Sequence, residues 1–145
     1  MPISVPFNLA TSGNDVSVNF VVDKEFFCAV NLKYFFQSEN PADRERVWAL
    51  VGGMKMSGTA FDERGAPVTV RVSIWKILGE DESLLTEQIV SSPRLSSWGQ
   101  TLNARLMLIK LEPGRYVIRA STLLGAPQLS KVETQLSVVQ AYLGK

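Results

Sequence analysis

The sequence predicts a mainly β protein, an antiparallel β-sandwich of two facing Ig-like sheets with about eight strands and one short α-helix. Three observations carry this. Apolar and polar residues alternate in short runs along most of the chain. Clusters of Gly, Pro, Asn, Asp and Ser break those runs at short intervals. A single segment, Asn40 to Gly52, carries a helix start, helical spacing and a helix stop. Many strands with one helix favour a two-sheet sandwich over a βαβ fold. A length of 145 residues gives one domain, residues 1–145, large enough to bury a real core.

Ile3 to Leu9 is apolar but broken by Pro6, which has no N–H for a ladder and so belongs on an edge strand. Thr11-Ser12-Gly13-Asn14 is a turn cluster. Val16, Val18, Phe20 and Val22 then alternate with Ser17, Asn19 and Asp23, as a half-buried strand requires. Phe26 to Phe36 places Phe26, Cys28, Val30, Leu32, Tyr34 and Phe36 on one face, with Phe27, Ala29 and Phe35 on the other beside Asn31 and Lys33. A strand apolar on much of both faces is central or covered by another element. The helix supplies that cover. Asn40 is its N-cap, Pro41 its first residue, and Asp43 complements the dipole in the first turn. Val47, Leu50 and Val51 follow at helical spacing, and Gly52 ends the helix in the left-handed conformation.

Met54 to Phe61 is a short strand or an extended linker, and Asp62-Glu63-Arg64-Gly65 a turn. Val68, Val70, Val72 and Ile74 alternate with Thr69, Arg71, Ser73 and Trp75 to give another strand. Gly79 to Ser83 reads as an acidic loop, Leu85 to Val90 as a weaker strand, and Ser91 to Gly99 as a loop. Leu102 to Leu111 and Arg115 to Leu124 form a hairpin about Glu112-Pro113-Gly114-Arg115. There Pro113 and Gly114 suit the second and third positions of a type II turn. Gly125-Ala126-Pro127 turns the chain into a last strand with Val132, Thr134, Leu136 and Val138.

Composition is ordinary for a globular protein, with 46% hydrophobic and 20% charged residues. A net charge of +1 gives no bulk attraction to nucleic acid or to an anionic membrane. No apolar run approaches the roughly eighteen residues that span a bilayer. Met1 to Val5 has neither the basic start nor the long apolar stretch of a signal peptide. The one cysteine, Cys28, cannot form an internal disulfide and lies mid-strand as a small buried hydrophobe. With no histidine there is no Ser-His-Asp or Cys-His catalysis, and most transition-metal sites are removed. Ser73-x-x-Lys76 has the spacing of some acyl enzymes, but a strand sends the two side chains to opposite faces. Glu80-Asp81-Glu82 cannot converge on a hard cation unaided. Asp62 and Glu63 are the nearest candidates for paired glycosidase carboxylates, and a turn position explains them. The expectation is a protein that is not an enzyme and takes no cofactor.

Binding remains. Trp98 in a polar loop, with Arg94 close by in sequence, joins two residue types enriched at interface hot spots. Trp98 either serves that role or plugs one end of the sandwich. Arg44 and Arg46, on the polar face of the helix, are second candidates. Trp75 lies either under the helix, the favoured reading, or exposed for a partner, and Trp48 is expected to dock on the sheet.

Phe7-Asn8-Leu9, the two aromatic-rich strands, the segment Asp43 to Gly52 (Asp-Arg-x-Arg-Val-x-x-Leu-Val-Gly), the Val68 to Ile77 strand and Leu111-Glu112-Pro113-Gly114-Arg115-Tyr116 occur in an order that resembles a domain-of-unknown-function family of small bacterial proteins. Members are usually exported and often lipoproteins. The resemblance implies an immunity protein that occludes a secreted antibacterial toxin, its cognate effector, and brings no catalytic residues. It implies a lipid anchor in a full-length precursor. The location is then periplasmic or envelope-associated where an export signal precedes the domain, and otherwise cytoplasmic. The alternative reading is a carbohydrate- or cell-envelope-binding accessory module.

Overall fold

The computed structural model describes residues 2–37, 39–54, 61–62 and 65–141. In chain order the elements are β1 (Ile3–Pro6), β2 (Asp15–Val22), β3 (Phe26–Phe35), α1 (Pro41–Val51), β4 (Gly53–Met54), β5 (Phe61–Asp62), β6 (Thr69–Leu78), β7 (Asp81–Ser91), β8 (Leu95–Trp98), β9 (Thr101–Leu111), β10 (Gly114–Leu124), a 3-10 turn (Pro127–Leu129) and β11 (Thr134–Gln140). Nine of the strands make two antiparallel sheets, in the orders β1-β11-β3-β9-β8 and β2-β10-β6-β7; β4 and β5 form a separate two-stranded ladder. Of the expected segment Met54 to Phe61, residues 55–60 lie outside the described residues, as do 63 and 64 of the expected turn.

The sandwich follows from the period-two pattern. Cys28, Val30, Leu32 and Tyr34 of β3 are buried, as are Val70, Val72 and Ile74 of β6, Tyr116, Ile118 and Ala120 of β10, and Leu136 and Val138 of β11. Each valine, leucine or isoleucine among them contributes about 1.5–3 kcal/mol before chain entropy is set against it. β3 lies between β11 and β9, with Leu32 opposite Leu136 on one side and Ala104 on the other. Its two-faced apolar pattern therefore marks a central strand. β1 with Pro6 is an edge strand, paired with β11 alone.

Leu102–Leu111 and Arg115–Leu124 were expected to pair as a hairpin. They lie in opposite sheets, β9 between β3 and β8 and β10 between β2 and β6. Glu112-Pro113-Gly114 is an arch across the edge of the core. Gly114 has φ 156°, far from the roughly 80° of the third position of a type II turn. The reason is burial at both feet of the arch. Leu111 and Tyr116 are 0% and 2% exposed and fill the space between the sheets. The Tyr116 hydroxyl donates to the Glu112 carbonyl at 2.6 Å and fastens the corner.

The expected acidic loop also contracts. Leu78 pairs with Asp81, leaving Gly79 (φ 66°) and Glu80 as a two-residue hairpin turn. Asp81 to Ser91 is one continuous strand. Charge suggested a loop there because the carboxylates decorate the outside of a strand. Arg119 of β10 donates from both terminal nitrogens to Glu82, at 2.8 and 2.9 Å.

Candidate functional site

The helix forms as its sequence directs. The Asn40 side chain accepts the backbone N–H groups of Ala42 and Asp43 at 3.1 and 3.2 Å, satisfying donors that have no partner within the helix. Val47 and Val51 turn inward and are fully buried. Gly52, at φ 86° and ψ 164°, takes a positive φ but not the left-handed helical cap expected of it. The spacing of four residues puts Arg44 and Trp48 on one face. The Arg44 guanidinium lies 4.4 Å from the Trp48 ring centre and 5.8 Å from that of Phe36.

The second half of the site comes from residues expected to be a loop. Leaving β7, Ser92 adopts φ 47° and its N–H donates to the Val68 carbonyl at 2.8 Å, redirecting the chain towards the other sheet. Leu95–Trp98 then forms strand β8 on the edge of the five-stranded sheet, with Ser97 opposite Asn103 and Trp98 opposite Leu102. The serines that signalled a loop instead help to seat the strand. Asn103 Nδ2 donates to Ser97 Oγ at 3.0 Å, and the Arg105 N–H donates to Ser96 Oγ at 3.1 Å.

Trp98 is 54% exposed, and its ring centre lies 5.7 Å from that of Trp48 at a tilt of 44°. The fold therefore builds a row of Phe36, Arg44, Trp48 and Trp98 across the helix and the sheet edge. Trp98 packs against Trp48 and keeps about half its surface in solvent. The Trp48 indole N–H is buried with no hydrogen-bond partner among the described residues. Trp48 does dock on the sheet side, as expected, and it is the contact that links Arg44 to Trp98.

The four candidate residues are thus divided. Arg44 and Trp98 are brought together through Trp48. Arg94 is exposed at the entry to β8, directly after the buried Pro93. Arg46 is turned to Asp43, its Nε donating to Oδ1 at 2.9 Å. Asp43 also accepts the backbone N–H of Gln37 at 2.7 Å, which ties the end of the β3 segment to the helix start. That backbone hydrogen bond first, and Arg46 second, hold the Asp43 carboxyl below the ordinary aspartate value of 3.8. The ionised form is the one favoured by folding. Its contribution is complete above the ordinary value and lost as pH falls through the lowered one. In a carboxyl NMR titration Asp43 should titrate below 3.8, and Asp43→Asn should flatten the acid limb of stability against pH below that value. A midpoint at or above 3.8 would show that these bonds do not form in solution.

Trp75 was expected under the helix. It instead lies on the outer face of the four-stranded sheet. Its indole N–H donates to Ser73 Oγ at 2.9 Å, and the Arg119 guanidinium stands 5.4 Å from its ring centre. Alternation from Val70 and Val72 fixed this direction; only the choice of covering element failed. Cys28 is fully buried, and burial pushes its thiol up to about 12, so no useful fraction of thiolate exists near neutrality. Among the described residues no three His, Cys, Asp or Glu side chains converge as metal ligands, and no helix is long and apolar enough to cross a membrane.

The profile of a family described as Domain of unknown function (DUF5625) matches residues 4–140. The chain belongs to this family. The match takes in both sheets and the helix of the DUF5625 fold, β1 to β11. A crystal structure from Sulfurospirillum deleyianum superimposes on this DUF5625 domain with a TM-score of 0.80 at 15% identity, covering 99% of each chain. That likeness is one of fold. A family 35 carbohydrate-binding module from Clostridium thermocellum aligns at a TM-score of 0.42 and 14% identity, over 97% of this chain and 88% of that one, too distantly to bear on a ligand. No functionally curated protein matches the chain.

Proposed function

We propose that this DUF5625 domain is a non-enzymatic binding protein, an immunity protein that neutralises a secreted antibacterial toxin by direct contact. The observation that carries the reading is the half-exposed Trp98 on the sheet edge, backed by Trp48 and Arg44 of the helix. Large aromatic surface beside a guanidinium, already held in place by its neighbours, gives binding energy at little ordering cost. The histidine-free sequence and the inert Cys28 thiol supply no Ser-His or Cys-His pair. The reading places the protein in the periplasm or on the envelope, with a lipid anchor in its full-length precursor.

The test is co-expression with the secreted toxic enzyme encoded beside it. The expected result is rescue of growth and co-elution of the two proteins on gel filtration. Capture of glycan alone from envelope extracts would overturn the reading in favour of a carbohydrate- or envelope-binding module. Trp98→Ala should weaken toxin binding by at least about 1 kcal/mol, roughly fivefold, because it removes the exposed end of the aromatic row. Its melting temperature should stay close to that of the parent, since half the ring is already in water. A large fall in melting temperature would assign Trp98 to the core.

A further inference from the structure

We propose that β7 is a docking edge that accepts an extended strand of alternating apolar and basic residues from a partner protein. This goes beyond the toxin-neutralising reading and does not depend on it, because β7 lies on the edge of the other sheet. Among the described residues β7 is outermost in the four-stranded sheet and pairs with β6 alone. Among those residues nothing pairs with its outer backbone N–H and C=O groups, which can continue the ladder. Proteins normally blunt such an edge with a short strand, a proline, a lysine or a covering element. The edge strand β1 is four residues long and ends in Pro6, and β8 is also four residues long. β7 runs for eleven residues, and Leu84, Leu85 and Ile89 are 48%, 45% and 57% exposed. From Gly79 to Ser92 there is no lysine, arginine or proline.

The charge on this edge selects the occupant. Glu80, Asp81, Glu82 and Glu87 lie on or beside it. Arg119 engages Glu82. The other three have no ion-pair partner among the described residues. A second copy pairing through β7 would set acid against acid. A basic strand cancels that charge, and its apolar residues cover Ile89 and the Leu84–Leu85 shelf. Leu85 has no register partner, because a bulge falls opposite Ile74 and Trp75. The added strand therefore runs straight along Thr86 to Ser91 and bends at the bulge to reach the Leu84–Leu85 shelf and the acids before it. Main-chain hydrogen bonds supply affinity in such additions, and alternate side chains supply selectivity.

The probe is a synthetic peptide as long as β7 in which valine alternates with lysine, compared with one carrying glutamate in place of lysine. At low salt the lysine peptide should bind at least tenfold more tightly, and amide exchange should slow in β7. Ile89→Lys should weaken it at least tenfold with an unchanged melting temperature, since Ile89 is exposed. Trp98→Ala should leave it unaltered. Equal affinity of the two peptides, protection confined to another strand, or indifference to Ile89→Lys would each overturn the proposal. Dimerisation in sedimentation that Ile89→Lys abolishes would do so as well, assigning the edge to a second copy.

Discussion

Tyr116→Ala should cost about 3–5 kcal/mol of folding stability, measured by urea unfolding. The residue is 2% exposed, and its ring lies 5.7 Å from Phe20, its opposite number on β2, at 22° between planes. Removing it leaves a cavity between the sheets and frees the arch from β9 to β10. Tyr116→Phe isolates the smaller part. It keeps the packing and loses the hydroxyl bond to the Glu112 carbonyl, for about 1 kcal/mol. If the phenylalanine variant were as damaged as the alanine one, the hydrogen bond and not the ring would hold the corner.

Gly125→Ala should cost about 3 kcal/mol and lower the melting temperature by roughly 10 °C, the scale expected for a domain of this size. A Cβ on Gly125 would stand 2.4 Å from the Thr11 carbonyl carbon and 2.6 Å from its Cα and nitrogen. Backbone meets backbone there, so no side chain can rotate aside. The segment from Asn8 to Asn14 is clasped to the end of β10 and the turn that follows. Ala126 donates to the Leu9 carbonyl at 2.8 Å, Thr122 Oγ1 to that of Asn8 at 2.9 Å, and Gly13 to that of Thr122 at 2.7 Å. Displacing it would pull the buried Leu9 from the core. Gly79→Ala is the control. Its φ is 66° and nothing lies within 4 Å of the added carbon, so only backbone strain of about 1 kcal/mol remains. Equal losses at the two glycines would show that the close approach to Thr11 relaxes at no cost.

The strands whose residues alternate were legible, because burial on one face imposes the period directly. β2, β3, β6 and the helix with its Asn40 cap lie where their residues place them. Pairing was less legible. Pro113-Gly114 permits a hairpin and an arch equally, and the choice rests on which sheet buries Leu111 and Tyr116. β8 was hidden because Ser96 and Ser97 look like loop residues when only their polarity is read. Their hydroxyls here accept hydrogen bonds within the sheet. The proximity of Trp98 to Arg44 could not be read from a separation of more than fifty residues. The Arg44 and Trp48 half was available in the four-residue helical spacing.

The strand order has a consequence for how the chain is made. Among the described residues β1, at residues 3–6, finds its partner only in β11, at residues 135–138, and β11 is also one of the two neighbours of β3. Pairings so far apart in sequence place folding in the millisecond-to-second range. On the ribosome, the five-stranded layer stays incomplete until β11 has emerged. A nascent chain of this topology closes that layer only once β11 arrives, and it remains threadable until then.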